Sequence, residues 1–175
     1  MATHSRSVVW VDHRQDAVLY SLRHLHPTYV VFKGASKGQR SALHIRVRVE
    51  YSHHCFSQDP SKLGSYDPGH VYTWAVRPDD PRVFCLRRWE ASKALPGILA
   101  SLVERNCYST RRRNHFAVKR HLSSGHYVIY FRVEKKVTGG ADLRLFVESA
   151  YHRDDMDTVL ATAEKISILD ILLRA

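Results

Sequence analysis

Apolar and polar residues alternate along Leu43–Tyr51, the clearest pattern in the N-terminal half of the chain. Every second position is leucine, isoleucine, valine or tyrosine, and the residues between them are His44, Arg46, Arg48 and Glu50. In a β-strand, successive side chains point to opposite faces of the sheet, so this period of two is typical of a strand that is buried on one face only. The pattern therefore predicts a half-buried strand.

Shorter apolar runs elsewhere predict further strands in the first part of the chain. Residues 8–11 and 17–20 flank a polar loop, an arrangement typical of a β-hairpin, and residues 29–32 form another short apolar run. Together with the alternating segment, these runs indicate that residues 1–51 are rich in strands.

The middle of the chain contains a loop, a strand, a turn and a helical segment. Ser, Asp, Pro and Gly are frequent in residues 52–69, which predicts a loop, and residues 71–76 predict a strand. The two prolines of residues 78–81 favour a turn. Apolar side chains recur at spacings of three and four in residues 89–106, which predicts a helical segment there. Because Pro96 lies inside that segment, we expect a break with the proline in the first turn of a second helix.

After the helical segment the period returns to two. Residues 115–119, 127–133 and 143–151 read as three consecutive strands, separated by short stretches that contain glycine. They predict an antiparallel meander over residues 114–151. Residues 161–175 fit a short helix and a buried strand about equally well.

Length and composition favour one α+β domain with a mostly antiparallel sheet. The chain has 175 residues, of which 44% are hydrophobic and 25% charged, values typical of a globular protein. We expect a single domain over residues 1–175, with residues 1–51 as a strand-rich part and residues 87–155 as a helix plus meander. No apolar run approaches the ~20 residues of a membrane-spanning helix. A sparse, odd set of cysteines favours a reducing, cytoplasmic location; these are Cys55, Cys85 and Cys107.

The charge balance is the strongest indication of a partner. Lysine and arginine number 27 against 17 aspartates and glutamates, which gives a net charge of +10, and there are 12 histidines. Basic proteins of this size attract polyanions, so RNA or another nucleic acid is the expected partner. The alternative is a charge that serves solubility only. A membrane surface is not expected, because no basic amphipathic helix is present.

Much of the positive charge lies just after the predicted helix. Arg111, Arg112, Arg113 and His115 follow it, and residues 104–136 contain nine lysines and arginines against two glutamates. Guanidinium groups bind phosphate in a bidentate manner, and the aromatic residues interleaved here suit the stacking of unpaired bases. The segment therefore predicts a nucleic-acid-binding surface. The alternative is a solvated basic edge beside core aromatics.

Three residues of the last predicted strand form a candidate catalytic set. By a period of two, Arg144, Glu148 and His152 share one face. RNA cleavage without a metal needs a base, an acid and cations that hold the phosphate. We expect Glu148 as base, His152 or His54 as acid, and Arg144 and Arg153 at phosphates. The alternative is that Glu148 and Arg144 pair with neighbouring strands across a solvated face.

Another candidate site is formed by three consecutive residues, His53, His54 and Cys55. Histidine and cysteine are zinc ligands, and a cysteine beside a histidine can act as a nucleophile. There is no C-x-x-C motif and no second clustered pair of ligands, so we expect no metal and no cofactor. A buried cysteine that acts as a small hydrophobic residue is the alternative for Cys55.

Two resemblances add to this interpretation. A helix followed by a meander, with His, Arg and Glu over one sheet face, makes residues 87–155 similar in architecture to small basic ribonuclease toxins of the barnase and RelE type. Residues 52–56, 130–133 and 146–151 together resemble an uncharacterised bacterial family described as stationary-phase growth adaptation proteins. The resemblances imply a metal-independent endoribonuclease of toxin type in growth control, with an acidic antitoxin protein as a further partner. The alternative is a non-catalytic module that binds nucleic acid or an acidic protein.

Overall fold

The computed structural model describes residues 8–34, 43–74, 77–110, 116–122, 125–135 and 140–175. These residues form strands and helices in alternating groups along the chain. The strands are β1 (His13–Gln15), β2 (Val18–Tyr20), β3 (Thr28–Gly34), β4 (Leu43–Tyr51), β5 (Ser57–Gln58), β6 (Val71–Trp74), β7 (Arg77–Phe84), β8 (Cys107–Ser109), β9 (Phe116–Leu122), β10 (Gly125–Glu134), β11 (Leu143–Arg153) and β12 (Lys165–Ile166). The helices are α1 (Leu86–Ser92), α2 (Leu95–Ala100), α3 (Met156–Ala161) and α4 (Ile168–Arg174).

Most of the described strands belong to one seven-stranded sheet, with the order β12-β8-β9-β10-β11-β4-β3. Every neighbouring pair in it is antiparallel except β11 and β4, which are parallel. The consecutive antiparallel strands β9, β10 and β11 confirm the predicted meander, and the α+β class with a mostly antiparallel sheet is confirmed as well. The parallel pair was not predicted, and it places the alternating N-terminal strand beside the C-terminal meander.

The predicted helical segment is helical but begins earlier. Helix α1 begins at Leu86, and α2 begins at Leu95 with Pro96 in its first turn, as expected for a proline that cannot continue a helix. A 3₁₀ turn at Leu102–Glu104 ends the segment. In residues 161–175, for which the sequence left helix and strand open, the structure has both the short strand β12 and the short helix α4. None of the described helices is long and apolar enough to cross a membrane.

The N-terminal hairpin is shorter than predicted, and residues 8–11 are not a strand. Strands β1 and β2 pair through a two-residue turn at Asp16 and Ala17, whose φ angles of 49° and 64° are those of a type I′ hairpin turn. Trp10 is buried instead in the core, with its ring centroid 5.3 Å from that of Phe56. The valines on either side of Trp10 are exposed, so the apolar run reflects one core anchor rather than a buried strand.

Residues 78–81 lie in a strand, so the predicted turn is wrong. They belong to β7, the central strand of a three-stranded sheet with the order β5-β7-β6. The register between β6 and β7 runs from Tyr72 paired with Arg82 to Trp74 paired with Arg77, with an irregularity between the two pairs. The prolines therefore lie where the ladder is interrupted, which is where a strand tolerates them.

The core lies on one face of the seven-stranded sheet, here called the inner face. It is covered by α2 and α4, while α3 packs through Met156 against Val128 on the opposite, outer face. Alternation along β10 assigns its residues to the two faces. The fully buried inner-face residues of β10 and β11 are Tyr127, Ile129, Phe131, Leu145, Val147 and Ala150.

A β-bulge at Glu148 reverses the alternation along β11. Tyr130 pairs with Ser149 and Phe131 with Val147, so Glu148 is the extra residue between them. Beyond the bulge, His152 pairs with Tyr127 on the inner face. The prediction that Arg144, Glu148 and His152 share one face is therefore wrong for His152, because a regular period of two cannot account for an inserted residue.

Gly125 begins β10 in a backbone conformation that favours glycine. Its φ is +104°, and a Cβ atom there would lie 2.6 Å from the Asp154 Oδ1 atom. We expect Gly125→Ala to lower the free energy of unfolding by about 1–2 kcal/mol, measured by urea denaturation. Gly97→Ala is the matched control. A Cβ at Gly97 meets nothing within 4 Å, and alanine in α2 should raise stability by about 0.5–1 kcal/mol. Equal effects of the two variants would contradict this account.

Candidate functional site

Ion pairs link three strands across the outer face of the sheet. Arg144 donates to Glu50 at 2.7 Å through Nε and to Glu134 at 3.0 Å through Nη1. Arg132 donates to Glu134 and to Glu148, each at 2.5 Å. Both guanidinium groups lie over the ring of Phe146, at 4.7 and 4.9 Å from its centroid. We call this set the arginine–glutamate ladder; its members are Arg48, Glu50, Arg132, Glu134, Arg144 and Glu148.

The ladder occupies two of the residues predicted to act on RNA. Arg144 is held by two carboxylates, and the carboxylate of Glu148 accepts from Arg132. Burial acts to raise the pKa of Glu134, but hydrogen bonds from Arg132 and the charges of both arginines lower it overall. The alternative interpretation, in which Arg144 and Glu148 pair with neighbouring strands, describes the observed contacts.

Glu148→Gln should therefore change stability rather than function. The Arg132–Glu148 pair is partly exposed, with side-chain exposures of 33% and 23%, so its loss should cost about 0.5–1 kcal/mol of unfolding free energy. Urea denaturation measures this change, and a binding assay with labelled RNA should show no change in affinity. A stable Glu148→Gln protein that has lost an RNA-dependent activity of the native protein would contradict this assignment.

The remaining predicted phosphate ligands divide into two groups. Arg153 donates to the Tyr130 hydroxyl at 2.7 Å and binds Asp155 through two nitrogens. The hydrogen bond to Asp155 raises the pKa of Arg153, although burial opposes the rise. Its guanidinium is thus engaged by neighbours within the chain. The other four lie outside the described residues, and their role stays a prediction: Arg111, Arg112, Arg113 and His115.

His54 lies in a 3₁₀ turn that follows β4 directly. The turn spans His53–Cys55, and its N-cap Ser52 accepts a hydrogen bond from the His54 amide at 3.1 Å. The Ser52 amide donates to the Val147 carbonyl at 2.9 Å, which fixes the turn against β11. The turn ends the alternation of β4, so a period of two does not place the two histidines on opposite faces.

Both histidines direct their rings at one carboxylate. The Nε2 atoms of His53 and His54 each lie 3.3 Å from the Oδ2 atom of Asp80, in β7. We call these three residues the histidine–aspartate cluster. The side chain of His53 is 3% exposed, whereas those of His54 and Asp80 are 35% and 30% exposed. The cluster is therefore buried on the side of His53 and open to solvent on the side of His54 and Asp80.

The surroundings keep both imidazoles neutral at neutral pH. Burial lowers the pKa of His53 to about 4, and the nearby His54 and Arg82 lower it further against the opposing charge of Asp80. Burial and Arg82 likewise lower the pKa of His54. Burial acts to raise the pKa of Asp80, but the hydrogen bond from His54 and the neighbouring cations lower it overall. The cluster thus combines two neutral bases with an ionised carboxylate.

Arginines from two elements adjoin this cluster. Arg82 is buried beside it, with Nη1 3.9 Å from the Asp80 Oδ1 atom. Arg88 of α1 donates to the carbonyls of His54 and Ser57, at 3.1 and 2.8 Å, and its guanidinium lies 4.9 Å from the ring centroid of Tyr151. Arg88 thereby joins the turn to the end of β11.

The end of β11 brings a second predicted residue to the same side of the fold. His152 packs against Tyr127 with 5.2 Å between ring centroids, and its pKa is lowered by burial and by the charge of the exposed Arg87. Helix α1 therefore adjoins both predicted histidines, while Glu148 lies on the outer face. We call this surface the α1 cationic surface; its members are three arginines and the two histidines beside them, namely Arg82, Arg87, Arg88, His54 and His152.

Sequence reasoning missed several of these residues. Asp80 and Arg82 share one face of β7 at a spacing of two, a signal that the neighbouring prolines obscured. Arg87 and Arg88 lie in the first turn of a helix that was predicted to begin only at residue 89. The contact between the 3₁₀ turn at His53–Cys55 and β7 is a tertiary contact, which no local sequence pattern indicates.

Cys55 is part of the core. It is fully buried, and burial raises the pKa of its thiol to about 12. A thiol in that state is not a nucleophile at neutral pH, so the structure agrees with the alternative in which Cys55 acts as a small hydrophobic residue.

Comparison with known proteins assigns the chain to a family. The model of the YjaZ family matches residues 10–175, so the chain belongs to the YjaZ family. No curated protein and no solved structure matches the chain. The architectural similarity to ribonuclease toxins therefore stays a prediction.

Proposed function

We propose that this member of the YjaZ family binds single-stranded RNA, with the phosphates of the RNA on the α1 cationic surface. The support comes from the net charge of +10 and from the place where described cations gather. A role in growth control, with cleavage of the bound RNA, is the more specific form that the resemblance to toxins implies.

The observation that carries the proposal is the gathering of three arginines around α1. Arg82 lowers the pKa of His54, Arg87 lowers that of His152, and Arg88 lowers that of Arg82, in each case in addition to burial. The guanidinium groups of Arg82, Arg87 and Arg88 therefore give this side of the fold a positive field, and a polyanion that binds there releases its own counterions. The same field attracts the RNA over long distances.

Tyr151 favours an unpaired strand as the ligand. It is half-buried, lies under the guanidinium of Arg88, and stacks on Tyr130 with 5.9 Å between ring centroids. Aromatic rings beside guanidinium groups suit unstacked bases, whereas double-stranded RNA is recognised mainly through its shape and backbone. We therefore expect a preference for single-stranded over double-stranded RNA.

Binding is better supported than cleavage through the predicted acid–base pair. The structure separates Glu148 from His152 by the thickness of the sheet and engages Glu148 with Arg132. A base and an acid must reach the same phosphodiester, so this pair does not supply both proton transfers. The non-catalytic module, which the sequence left as the alternative, agrees better with this geometry.

Fluorescence anisotropy with a labelled single-stranded RNA over a series of salt concentrations tests the proposal. Because Arg82 is buried, contacts from Arg87 and Arg88 alone should give a slope of log affinity against log salt of about −1.5. An absence of binding in dilute buffer would overturn the proposal. Tighter binding of an acidic polypeptide than of RNA at equal charge would favour an acidic protein partner instead.

A further inference from the structure

We propose that the histidine–aspartate cluster binds a divalent transition-metal ion of the zinc class, with His53 Nε2, His54 Nε2 and Asp80 Oδ2 as ligands. The three residues offer ligand atoms that all lie within 4.8 Å of one another. This site goes beyond RNA binding and does not rest on it. It also departs from the sequence-based expectation of no metal, because Asp80 is distant in sequence.

The spacing of the ligand atoms fits a metal ion. A tetrahedral zinc ion binds nitrogen and oxygen at about 2.0–2.1 Å, which places neighbouring ligand atoms about 3.3–3.4 Å apart. Both imidazole nitrogens lie 3.3 Å from the same carboxylate oxygen. Direct N–H···O hydrogen bonds are shorter, most often about 2.9–3.0 Å. The His54 contact is a long hydrogen bond, and two rings that converge on one oxygen at this distance can hold a cation between them in place of the proton.

The chemistry of the donors supports the same conclusion. Neutral imidazole is the form of histidine that binds metal, and the carboxylate of Asp80 supplies the negative charge. Two histidines and one carboxylate are the protein ligands of one class of catalytic zinc sites and of many non-haem iron sites. Such sites keep at least one coordination position open.

The turn that carries the histidines is held in place from several sides. The Ser57 hydroxyl donates to the His53 carbonyl at 2.6 Å, and Arg88 donates to the His54 carbonyl at 3.1 Å. The Cys55 amide donates to the Ser52 carbonyl at 3.1 Å. The buried His53 ring is further packed against Trp10, with 6.1 Å between ring centroids. Ligands fixed in this way lose little conformational freedom when the ion binds.

The open side of the site points to an anionic additional ligand. His54 and Asp80 are each about one-third exposed, so solvent reaches the ion on that side. Arg82 lies 3.9 Å from Asp80 and repels a cation, but an anion shared between Arg82 and the metal removes that repulsion. We therefore expect inorganic phosphate to raise the affinity of the site for zinc.

Metal binding to the full-length protein tests the inference. Zinc competition with a chromogenic chelator should give one equivalent of bound metal, and cobalt substitution should give the intense visible absorption of tetrahedral Co²⁺. Asp80→Asn and His54→Gln should each weaken zinc binding by at least about tenfold. Both positions are part-exposed, so the variants should fold, which circular dichroism checks.

Matched controls separate this site from adventitious binding. Asp16 and His70 form another histidine–carboxylate pair, at 3.5 Å, and Asp16→Asn and His70→Gln should leave zinc affinity unchanged. Cys85→Ser removes the one free thiol that is not fully buried and should also have no effect. Zinc should raise the melting temperature of the native protein but not that of Asp80→Asn.

Two results would overturn the metal site. One is a native protein that binds no more zinc than Asp80→Asn, and the other is a cobalt spectrum without tetrahedral character. RNA binding is measured separately in the presence of a chelator. Failure of the metal site and failure of RNA binding are therefore distinguishable.

Discussion

Arg144→Met should lower the free energy of unfolding by about 2–3 kcal/mol and leave RNA affinity unchanged. Arg144 donates to Glu50, whose side chain is only 9% exposed, and to Glu134 on the neighbouring strand. Methionine preserves much of the packing against Phe146 but leaves two carboxylates with fewer donors. Because Arg48 still pairs with Glu50, the expected loss of unfolding free energy is smaller than for a buried carboxylate left without any partner.

Urea denaturation measures this loss, and an exposed ion pair provides the control. The Nζ atom of Lys93, the residue after α1, lies 2.8 Å from the Oε2 atom of Glu90 in α1, and the two side chains are 45% and 63% exposed. Lys93→Met should cost no more than about 0.5 kcal/mol. If Arg144→Met were as stable as the native protein and bound RNA more weakly, the ladder would be the RNA-binding face and the present assignment would be wrong.

Arg87→Glu should weaken RNA binding by about tenfold or more in dilute buffer. Arg87 is exposed on α1 and lies close enough to His152 to lower the pKa of that histidine, so the reversal of its charge acts directly on the α1 cationic surface. Since the side chain is exposed, the change should hardly affect folding. The slope of log affinity against log salt should become shallower in the variant.

Lys33→Glu is the control for that charge reversal. Lys33 is exposed on β3, the edge strand at the other end of the seven-stranded sheet from β12, and the change in net charge is the same. A response to net charge alone would weaken RNA binding equally in both variants. A specific surface near α1 predicts a clearly larger loss for Arg87→Glu.

The regular strands were predictable from sequence because each buries one face. A period of two located β4, β10 and most of β11, and the glycines between strands marked the turns of the meander. The parallel pairing of β11 with β4 was not predictable, because it joins residues almost a hundred positions apart and depends on which hydrophobic faces meet. Alternation shows which residues of a strand are buried, but it does not show which strand lies beside it.

The candidate site was only partly predictable for two physical reasons. The bulge at Glu148 adds one residue to β11, and this moved His152 to the face opposite to Glu148 without any trace in the hydrophobic pattern. The ligand Asp80 lies 26 residues from His54 and sits between prolines that favour a turn. The sequence identified His54 as a candidate site residue, but only the tertiary structure brings Asp80 next to it.

Photo-crosslinking tests the central claim, contact between RNA and the α1 cationic surface, most directly. A single-stranded RNA with a photoreactive uridine is irradiated with the native protein, and the attached peptides are identified by mass spectrometry. We predict crosslinks in α1 and at Tyr151 beside Arg88. Crosslinks confined to the surroundings of the arginine–glutamate ladder, at Phe146 or the exposed Tyr29, would contradict the claim.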